Sequence, residues 1–352
     1  MARALLIFLL FSLSSCNHAL DPQSATFSIM SQHPTPLISH SSPGTEDNKY
    51  GFEGGRVVLL DGTYHLFISE MFADPKWTKT RLAHWTSSDG LNFTRQSTLF
   101  ESSGDFTGTD TRAALFLPIP IFDEQLNRWT LFYSAFRSAP NRKDAWLINH
   151  NGRIQRALSQ SPGRNGIAGP YKDVDIAIEP DKNSDPWEGL QGTDSFFPFK
   201  IGDRKWLAFY GSAQTEKVPT TFWADGLASS PSLAGPWTRL SKINPILYPR
   251  AENPHVAQIK NNLYVAIYDA VFETPPDCMK IPYTFSTDGL HWTETKYVQL
   301  SPGENNWIKQ VRTPLSLIPI GHNQFLVYFT AAQPNGYSSL GRLTIALRAA
   351  NP

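Results

Sequence analysis

The feature that most constrains the fold is a pair of strands that recurs five times along the chain. Each copy has a polar residue, an apolar run, a turn containing Gly or Asn, and a second apolar run. Most copies begin about 60 residues apart, which leaves room for four strands in each. The copies are read from Phe52, Gly108, Gly192, Ala251 and Val311.

Later parts of the copies supply further strands. "HWTSSDGLNFT" from His84 and "YTFSTDGLHWT" from Tyr283 both place Asp-Gly between two apolar runs, which predicts a tight turn. The chain is therefore predicted to be all-β, as a single five-bladed β-propeller. A β-sandwich is the alternative, but it requires no such recurrence. The fifth copy has room for only three strands, so the segment Thr26 to Met30 is expected to supply the fourth.

Composition narrows the class of partner. The chain carries 31 basic and 31 acidic side chains, so its formal net charge is zero. Nucleic-acid binding requires a basic field, and no nucleic acid is expected here. The sequence shows no linker between separate domains, and residues 50–352 are read as one catalytic domain. The protein is expected to be a monomer.

The N-terminus resembles an export signal. Residues 1–15 contain one Arg and a short apolar run, too short to span a bilayer as a helix. Cys16 follows Leu-Ser-Ser, as in a bacterial lipobox, and is predicted to be lipidated. An ordinary signal cleaved near Ala19 is the alternative. The prediction is an exported protein, anchored to the bacterial cell envelope by lipid alone, with residues 16–49 as an N-terminal segment and Cys278 as a packing residue.

Carboxylates open most of the strand pairs. The innermost strand of every propeller blade lines the central channel, so the starts of these strands converge on one face. Carboxylates brought together there raise each other's pKa values, and general acid–base catalysis requires such separated values. The converging residues are expected to be Glu53, Asp110, Asp194 and Glu252, with Arg312 completing the ring.

These motifs resemble those of the five-bladed β-propeller glycosidases, the superfamily that includes glycoside hydrolase families 43 and 32. "ENPH" at Glu252 is similar to the family 43 motif that carries the general acid. "DSFF" at Asp194 is similar to the motif whose Asp orients that acid and raises its pKa. The resemblance implies that Glu53 activates water or attacks the sugar directly, depending on the separation of the carboxyls. A family 43 mechanism would invert the anomeric configuration.

The openings of three blades depart from the family pattern. Glu53 stands where the family has Asp followed by Pro. Arg312 stands where it often has His near a calcium or water site, so no metal is expected, although a structural calcium remains open. Asp110 and Arg112 stand where it often has an aromatic residue and a proline. No cofactor is expected.

Several side chains remain candidates for binding sugar hydroxyls or sugar faces. Each also has an ordinary structural reading: a turn or solvated carboxylate, a charge-balancing arginine, a packed histidine or a packed tryptophan. The candidates are Asp110, Arg112, His255, Arg312, Glu70, Asp269 and Trp77.

The leading functional hypothesis is hydrolysis of glycosidic bonds in an oligosaccharide or polysaccharide. Furanosides such as arabinofuranosides are suggested by the superfamily alone. A glycan-binding propeller without catalysis is the alternative, since it would keep the aromatic residues and need no acid or base. A transglycosylase or phosphorylase on the same scaffold is the third possibility.

Overall fold

The structure, a computed structural model, describes residues 21–140, 148–217, 219–260, 262–270, 277–321 and 323–349. These residues form five four-stranded antiparallel sheets, so the prediction of an all-β five-bladed propeller is confirmed. The predicted signal peptide and Cys16 lie outside the described residues. Within the described ranges, no helix is long and apolar enough to cross a membrane.

The strands follow one another around the ring in chain order. Preceding the first blade is β1 (Thr26–Gln32). The first blade comprises β2 (Phe52–Leu60), β3 (Thr63–Met71), β4 (Thr80–Ser87) and β5 (Thr94–Glu101). The second comprises β6 (Ala114–Asp123), β7 (Arg128–Ser138), β8 (Asn149–Ser159) and β9 (Tyr171–Ile178).

The remaining three blades repeat this order. The third comprises β10 (Asp194–Gly202), β11 (Lys205–Ala213), β12 (Trp223–Ser230) and β13 (Thr238–Arg239). The fourth comprises β14 (Ala251–Lys260), β15 (Leu263–Ala270), β16 (Lys280–Ser286) and β17 (Lys296–Gln299). The fifth comprises β18 (Gln310–Gly321), β19 (Gln324–Ala332), β20 (Ser338–Arg348) and the earlier β1. Short 3₁₀ turns occur at Arg164–Ala168, Asp277–Met279 and Glu304–Asn306.

The ring closes through strand β1, which pairs antiparallel with β20 and is the outermost strand of the fifth blade. Its register runs from Thr26 opposite Arg348 to Gln32 opposite Leu343. The segment expected to supply the missing strand therefore occupies that position. A closed ring leaves few strand edges exposed to unwanted pairing.

The repeated Asp-Gly turns have a local physical cause. The Asp89 carboxylate accepts hydrogen bonds from the backbone N–H groups of Leu91 and Asn92, and Gly90 adopts a φ of 69° that a residue with a Cβ rarely takes. The Tyr328 hydroxyl of the fifth blade donates to the Gly90 carbonyl at 2.8 Å. This turn therefore joins the first blade to the fifth.

Candidate active site

A cavity of about 180 Å³ lies where the inner strands of all five blades begin. Glu53 reaches it from β2, Asp194 from β10 and Glu252 from β14. Phe116 and Arg312 line it from β6 and β18. The structure therefore brings together three of the four predicted carboxylates and the predicted arginine.

A shared backbone irregularity positions these side chains. In β6, β10 and β14 a β-bulge follows the residue that faces the cavity. The next residue is left-handed in each strand: Leu117 has a φ of 58°, Ser195 of 55° and Asn253 of 57°. Bulges redirect a side chain at the end of a strand, which is how these residues turn into the channel.

This irregularity corrects the predicted correspondence between the second blade and the other blades. The residue that precedes the left-handed position is Phe116 in β6, Asp194 in β10 and Glu252 in β14. Phe116 is therefore the counterpart of the carboxylates, and the prediction that Asp110 joins the ring is wrong in its placement. Asp110 lies four residues before β6, where its carboxylate accepts from the Arg112 backbone N–H.

Glu252 lies in the most acidic part of the cavity. It is directly opposite Asp269 in the β14–β15 register. Burial, followed by the charges of Asp269 and Asp194, raises the pKa of Glu252 well above the ordinary range, and the charge of Arg312 opposes that shift only in part. These causes favour the protonated form of Glu252.

Asp194 is held by three donors. The Ser134 hydroxyl and the Ser195 backbone N–H each donate to its Oδ1 at 2.7 Å, and the Gln191 amide donates to Oδ2 at 3.4 Å. Burial nevertheless raises the pKa of Asp194, because it outweighs the hydrogen bonds. This carboxyl is fixed in position and contributes to the field at Glu252.

Glu53 has a different environment within the same cavity. The Thr313 hydroxyl donates to its Oε1 at 2.7 Å, and the Arg312 guanidinium donates to its Oε2 at 3.4 Å. The next residue, Gly54, packs so closely on Leu117 that an added Cβ would lie 1.9 Å from the Leu117 Cδ2. Because Thr313 and Arg312 donate to them, both oxygens of the Glu53 carboxylate act as acceptors, as the base in a proton transfer must.

A chain of hydrogen bonds connects the inner strands beneath these carboxyls. The Ser195 hydroxyl donates to the Asn253 Oδ1 at 3.0 Å, and the Asn253 amide donates to the Thr313 hydroxyl at 3.5 Å. Thr313 in turn donates to Glu53. The positions of acid, base and orienting residue are therefore coupled through side chains of four blades.

Asp225 is a fourth buried carboxyl beside the cavity, and sequence reasoning missed it. It is fully buried in β12, where it pairs with Gly211, which itself pairs with Asp194 in the next strand. Within the described ranges neither of its oxygens has a hydrogen-bond partner. Burial, and then the charges of Glu252, Asp194 and Asp269, raise the pKa of Asp225 well above the ordinary range. The only signal in the sequence is an Asp inside an otherwise small and apolar strand.

Arg312 and Trp77 form one wall of the cavity. The guanidinium carbon of Arg312 lies 5.9 Å from the centre of the Trp77 ring. The charge of Glu53 is the largest cause that raises the pKa of Arg312, followed in effect by those of Asp269 and Glu252. This wall offers an aromatic face and hydrogen-bond donors, the combination that suits a sugar ring and its hydroxyls.

The structure contradicts the prediction that Glu70 could bind substrate from an outer ring. Its side chain is fully buried and accepts hydrogen bonds from Arg81, Arg95 and the Trp85 indole. These contacts satisfy the carboxylate within the first blade. Asp269, predicted for the same ring, is buried behind Glu252 and its pKa is raised to about 8 by burial.

Two other candidates also lie away from the cavity lining. Arg112 donates to Asp173 at 2.8 Å and to the Tyr133 hydroxyl, so its side chain stabilises the second blade. His255 lies deeper in the channel, packed on Phe197 with ring centres 4.7 Å apart. Burial is the main cause that lowers the pKa of His255 well below the ordinary range.

Within the described residues, no three or more His, Cys, Asp or Glu side chains are grouped to hold a metal ion. The acidic residues at the cavity are instead opposed by Arg312. Cys278 is buried, and its thiol donates to the Lys309 carbonyl at 3.3 Å, in keeping with a packing role.

No family model matches the chain, and no curated protein matches it in sequence. Solved structures do match. A family 117 glycoside hydrolase from the marine bacterium Zobellia galactanivorans superposes with a TM-score of 0.62 at 15% identity, over 93% of this chain and 91% of that one.

Two further structures match over most of their length. A thermostable family 43 glycoside hydrolase gives a TM-score of 0.55 at 16% identity, over 90% of this chain and 96% of that one. An exo-1,5-α-L-arabinanase from a bovine ruminal metagenomic library gives 0.53 at 9% identity, over 85% and 93%. The chain therefore has the five-bladed propeller fold of family 43 and family 117 glycoside hydrolases.

Proposed function

We propose that the protein is a glycoside hydrolase that uses two carboxyl groups as general acid and general base. The observation that carries this proposal is the contrast between Glu252 and Glu53 in one cavity. Burial, followed by the charges of Asp269 and Asp194, raises the pKa of Glu252 and favours its protonated form. Glu53 accepts hydrogen bonds from Arg312 and Thr313. One carboxyl thus holds a proton and the other has oxygens ready to accept one.

In this proposal Glu252 donates its proton to the glycosidic oxygen as the bond from that oxygen to the anomeric carbon breaks. A water molecule forms the new bond to the anomeric carbon and loses a proton to Glu53. Solvent then returns the two carboxyls to their starting states. The negative charge of Glu53 also favours the positive charge that develops on the sugar ring in the transition state.

Asp194 acts on Glu252 through its field and through shared contacts. Its carboxyl is fixed by Ser134 and the Ser195 backbone, and it raises the pKa of Glu252. Asp194 is therefore a positioning residue, because Glu252 and not Asp194 contacts the leaving oxygen. Loss of Asp194 is expected to lower the pKa of the acid as well as its activity.

The cavity and the fold support a proposal for the substrate class. The cavity of about 180 Å³ is smaller than the pockets of about 300–1,000 Å³ that hold drug-sized ligands, which favours a site for one small unit. We infer that one sugar unit is enclosed against Trp77 and Arg312. Furanosides, with arabinofuranosides first, are the proposed substrates, and the fold shared with an arabinanase supports that choice.

The direct test is hydrolysis of aryl furanosides, aryl pyranosides and plant oligosaccharides by the wild-type protein and by Glu252→Gln and Glu53→Gln. Turnover of at least one furanoside is expected, and both substitutions should abolish turnover of the natural glycan while the melting temperature is maintained. Proton NMR of the first product would show inversion if Glu53 activates water, and retention if it attacks the sugar.

A catalytically silent glycan-binding protein would give a different pattern. Calorimetry would detect oligosaccharide binding by the wild type, no substrate in the screen would be cleaved, and Glu252→Gln would leave binding unchanged. That result would replace the hydrolase proposal.

We also propose that the protein is exported and anchored through lipid on Cys16. This proposal is supported by the sequence of residues 1–16 alone. In bacterial cells the wild type should fractionate with membranes and Cys16→Ser should be released or remain unprocessed. Wild-type protein in the soluble fraction, with a mature N-terminus near Ala19, would overturn it.

A further inference from the structure

A second cavity lies in the central channel, deeper than the carboxylate site. Its volume is about 500 Å³, and Arg56, Phe197, His255 and Ser316 line it from four of the five inner strands. Arg56 also contacts the remaining inner strand, β6 of the second blade, because it donates to the Pro120 carbonyl at 2.7 Å. Every blade therefore contributes to the surroundings of one guanidinium.

Among the described residues, no carboxylate compensates the charge of Arg56. Within the described ranges no carboxylate lies within ion-pair distance of it, and Pro120 is the only acceptor that it reaches. Its guanidinium carbon instead lies 5.1 Å from the centre of the Phe197 ring. Burial lowers the pKa of Arg56 to about 10, so the side chain remains a cation at neutral pH. The Arg56 side chain is only partly exposed, and a cation withdrawn from water without a counter-charge is costly.

One hydroxyl in the lining of this cavity is also unsatisfied. The hydroxyl of Ser316 is buried and has no hydrogen-bond partner in the part of the chain that the structure describes. His255 faces the same cavity, and burial together with the charge of Arg56 keeps its ring neutral, with one N–H to donate. A cation, a hydroxyl and an imidazole N–H are all donors, and together they match the requirements of an anion.

We propose that this lower cavity is a binding site for one small inorganic anion of the phosphate, sulfate or chloride type. The anion is held by the Arg56 guanidinium, with the Ser316 hydroxyl and the His255 ring as further donors. It neutralises the guanidinium, so its binding stabilises the inner strands. The carboxylates of the upper cavity repel anions, which confines the anion to the lower one.

The cavity is accessible from the face opposite the carboxylates. Its lining continues to Leu59, Gln258 and Pro319, which are exposed on that face. An anion can thus enter without passing the candidate active site. Anion binding is also independent of glycoside hydrolysis, and either proposal can fail alone.

Titration calorimetry with sodium phosphate on protein dialysed into gluconate buffer tests the proposal. The wild type should bind one phosphate per chain with a saturable heat. Arg56→Met should weaken binding by about tenfold or more, because hydrogen bonds to a charged group are lost. Lys172→Met, which removes an exposed cation on β9, is the matched control and should bind as the wild type does.

Two further variants keep the test decisive if Arg56→Met does not fold. Arg56→Lys keeps the charge but loses the planar fork, and Ser316→Ala removes one donor, so both should bind measurably more weakly than the wild type. Bromide soaked into crystals should give an anomalous peak in contact with Arg56. Absence of saturable binding in the wild type, wild-type affinity in Arg56→Met or Ser316→Ala, or a bromide peak only elsewhere would overturn the proposal.

Discussion

Two glutamates near strand ends, Glu70 and Glu252, illustrate how differently one residue type can be used. Glu70 in the first blade is enclosed by Arg81, Arg95 and the Trp85 indole, all of which donate to it. Glu252 in the fourth blade is enclosed by carboxyls, with Arg312 as the opposing charge. The first environment satisfies a charge and stabilises a blade. The second penalises a charge and keeps a proton available.

The difference teaches that burial alone does not identify a functional carboxyl. Removing a satisfied buried charge damages the fold, because its partners are left unpaired. Removing an unsatisfied one relieves repulsion, so the fold tolerates the change while the chemistry does not. Substitutions at Glu252, at Glu70 and at the acidic neighbours of Glu252 test this difference.

The largest expected effect is on catalysis at Glu252. Glu252→Gln should lower kcat on a natural glycan by about 10²- to 10⁴-fold, because the leaving oxygen no longer receives a proton. The melting temperature should be unchanged or higher, since a crowded acid has been removed. Steady-state kinetics and thermal unfolding measure the two effects. Near wild-type activity in this variant would show that Glu252 is not the general acid.

Glu70→Gln should show the opposite behaviour. Arg95 loses the Glu70 carboxylate and Arg81 keeps only that of Asp47, and this loss is expected to cost about 3–5 kcal/mol of unfolding free energy. Urea unfolding measures that loss, and the folded fraction should hydrolyse substrate at the wild-type rate. If activity falls while stability holds, Glu70 belongs with the catalytic group after all.

A smaller effect is expected from the neighbour of the acid. The charge of Asp269 raises the pKa of Glu252, so Asp269→Asn should lower that pKa. Because the acid works only while protonated, activity should be lost at a lower pH on the alkaline limb. The pH profile of kcat/KM measures the shift. Asp203→Asn, on a fully exposed carboxylate, should leave the profile in place.

The smallest effect concerns stability at Asp225. Its folded-state pKa is raised above the unfolded value, so its contribution to stability is full below pH 4 and is lost as pH rises. Asp225→Asn removes that loss, and should raise the melting temperature by about 2 °C or more at pH 8 with little change at pH 4. Equal effects at both pH values would show that the field near Glu252 does not act on Asp225.

The ring of five blades could be predicted because its signals are local. Paired apolar runs and Asp-Gly turns are visible in short stretches, and they recur at a regular spacing. The positions of Glu53, Asp194 and Glu252 at strand starts follow from the same pattern. The second blade was misaligned because Gly-Thr-Asp at Gly108 belongs to a loop, whereas the bulge that marks the equivalent position lies at Phe116 and Leu117.

What could not be predicted depends on contacts between distant segments. Glu70 and Asp269 both stand near the ends of second strands, and only the fold shows that one meets arginines and the other meets a glutamate. Asp225 lies on a third strand, where the sequence offers no register against the inner strands. Arg56 reads as an ordinary strand residue until five strands are seen around it.

The pairing of β1 with β20 gives the chain a particular order of assembly. Strand β1 is synthesised before the strands of the other blades and finds its partner only when β20 has left the ribosome, so the ring cannot close before then. A tag or tether at either terminus pulls on the same sheet. Shortening the N-terminus beyond Gln32 would therefore expose the edge of β20 and leave an adhesive surface that other chains could join.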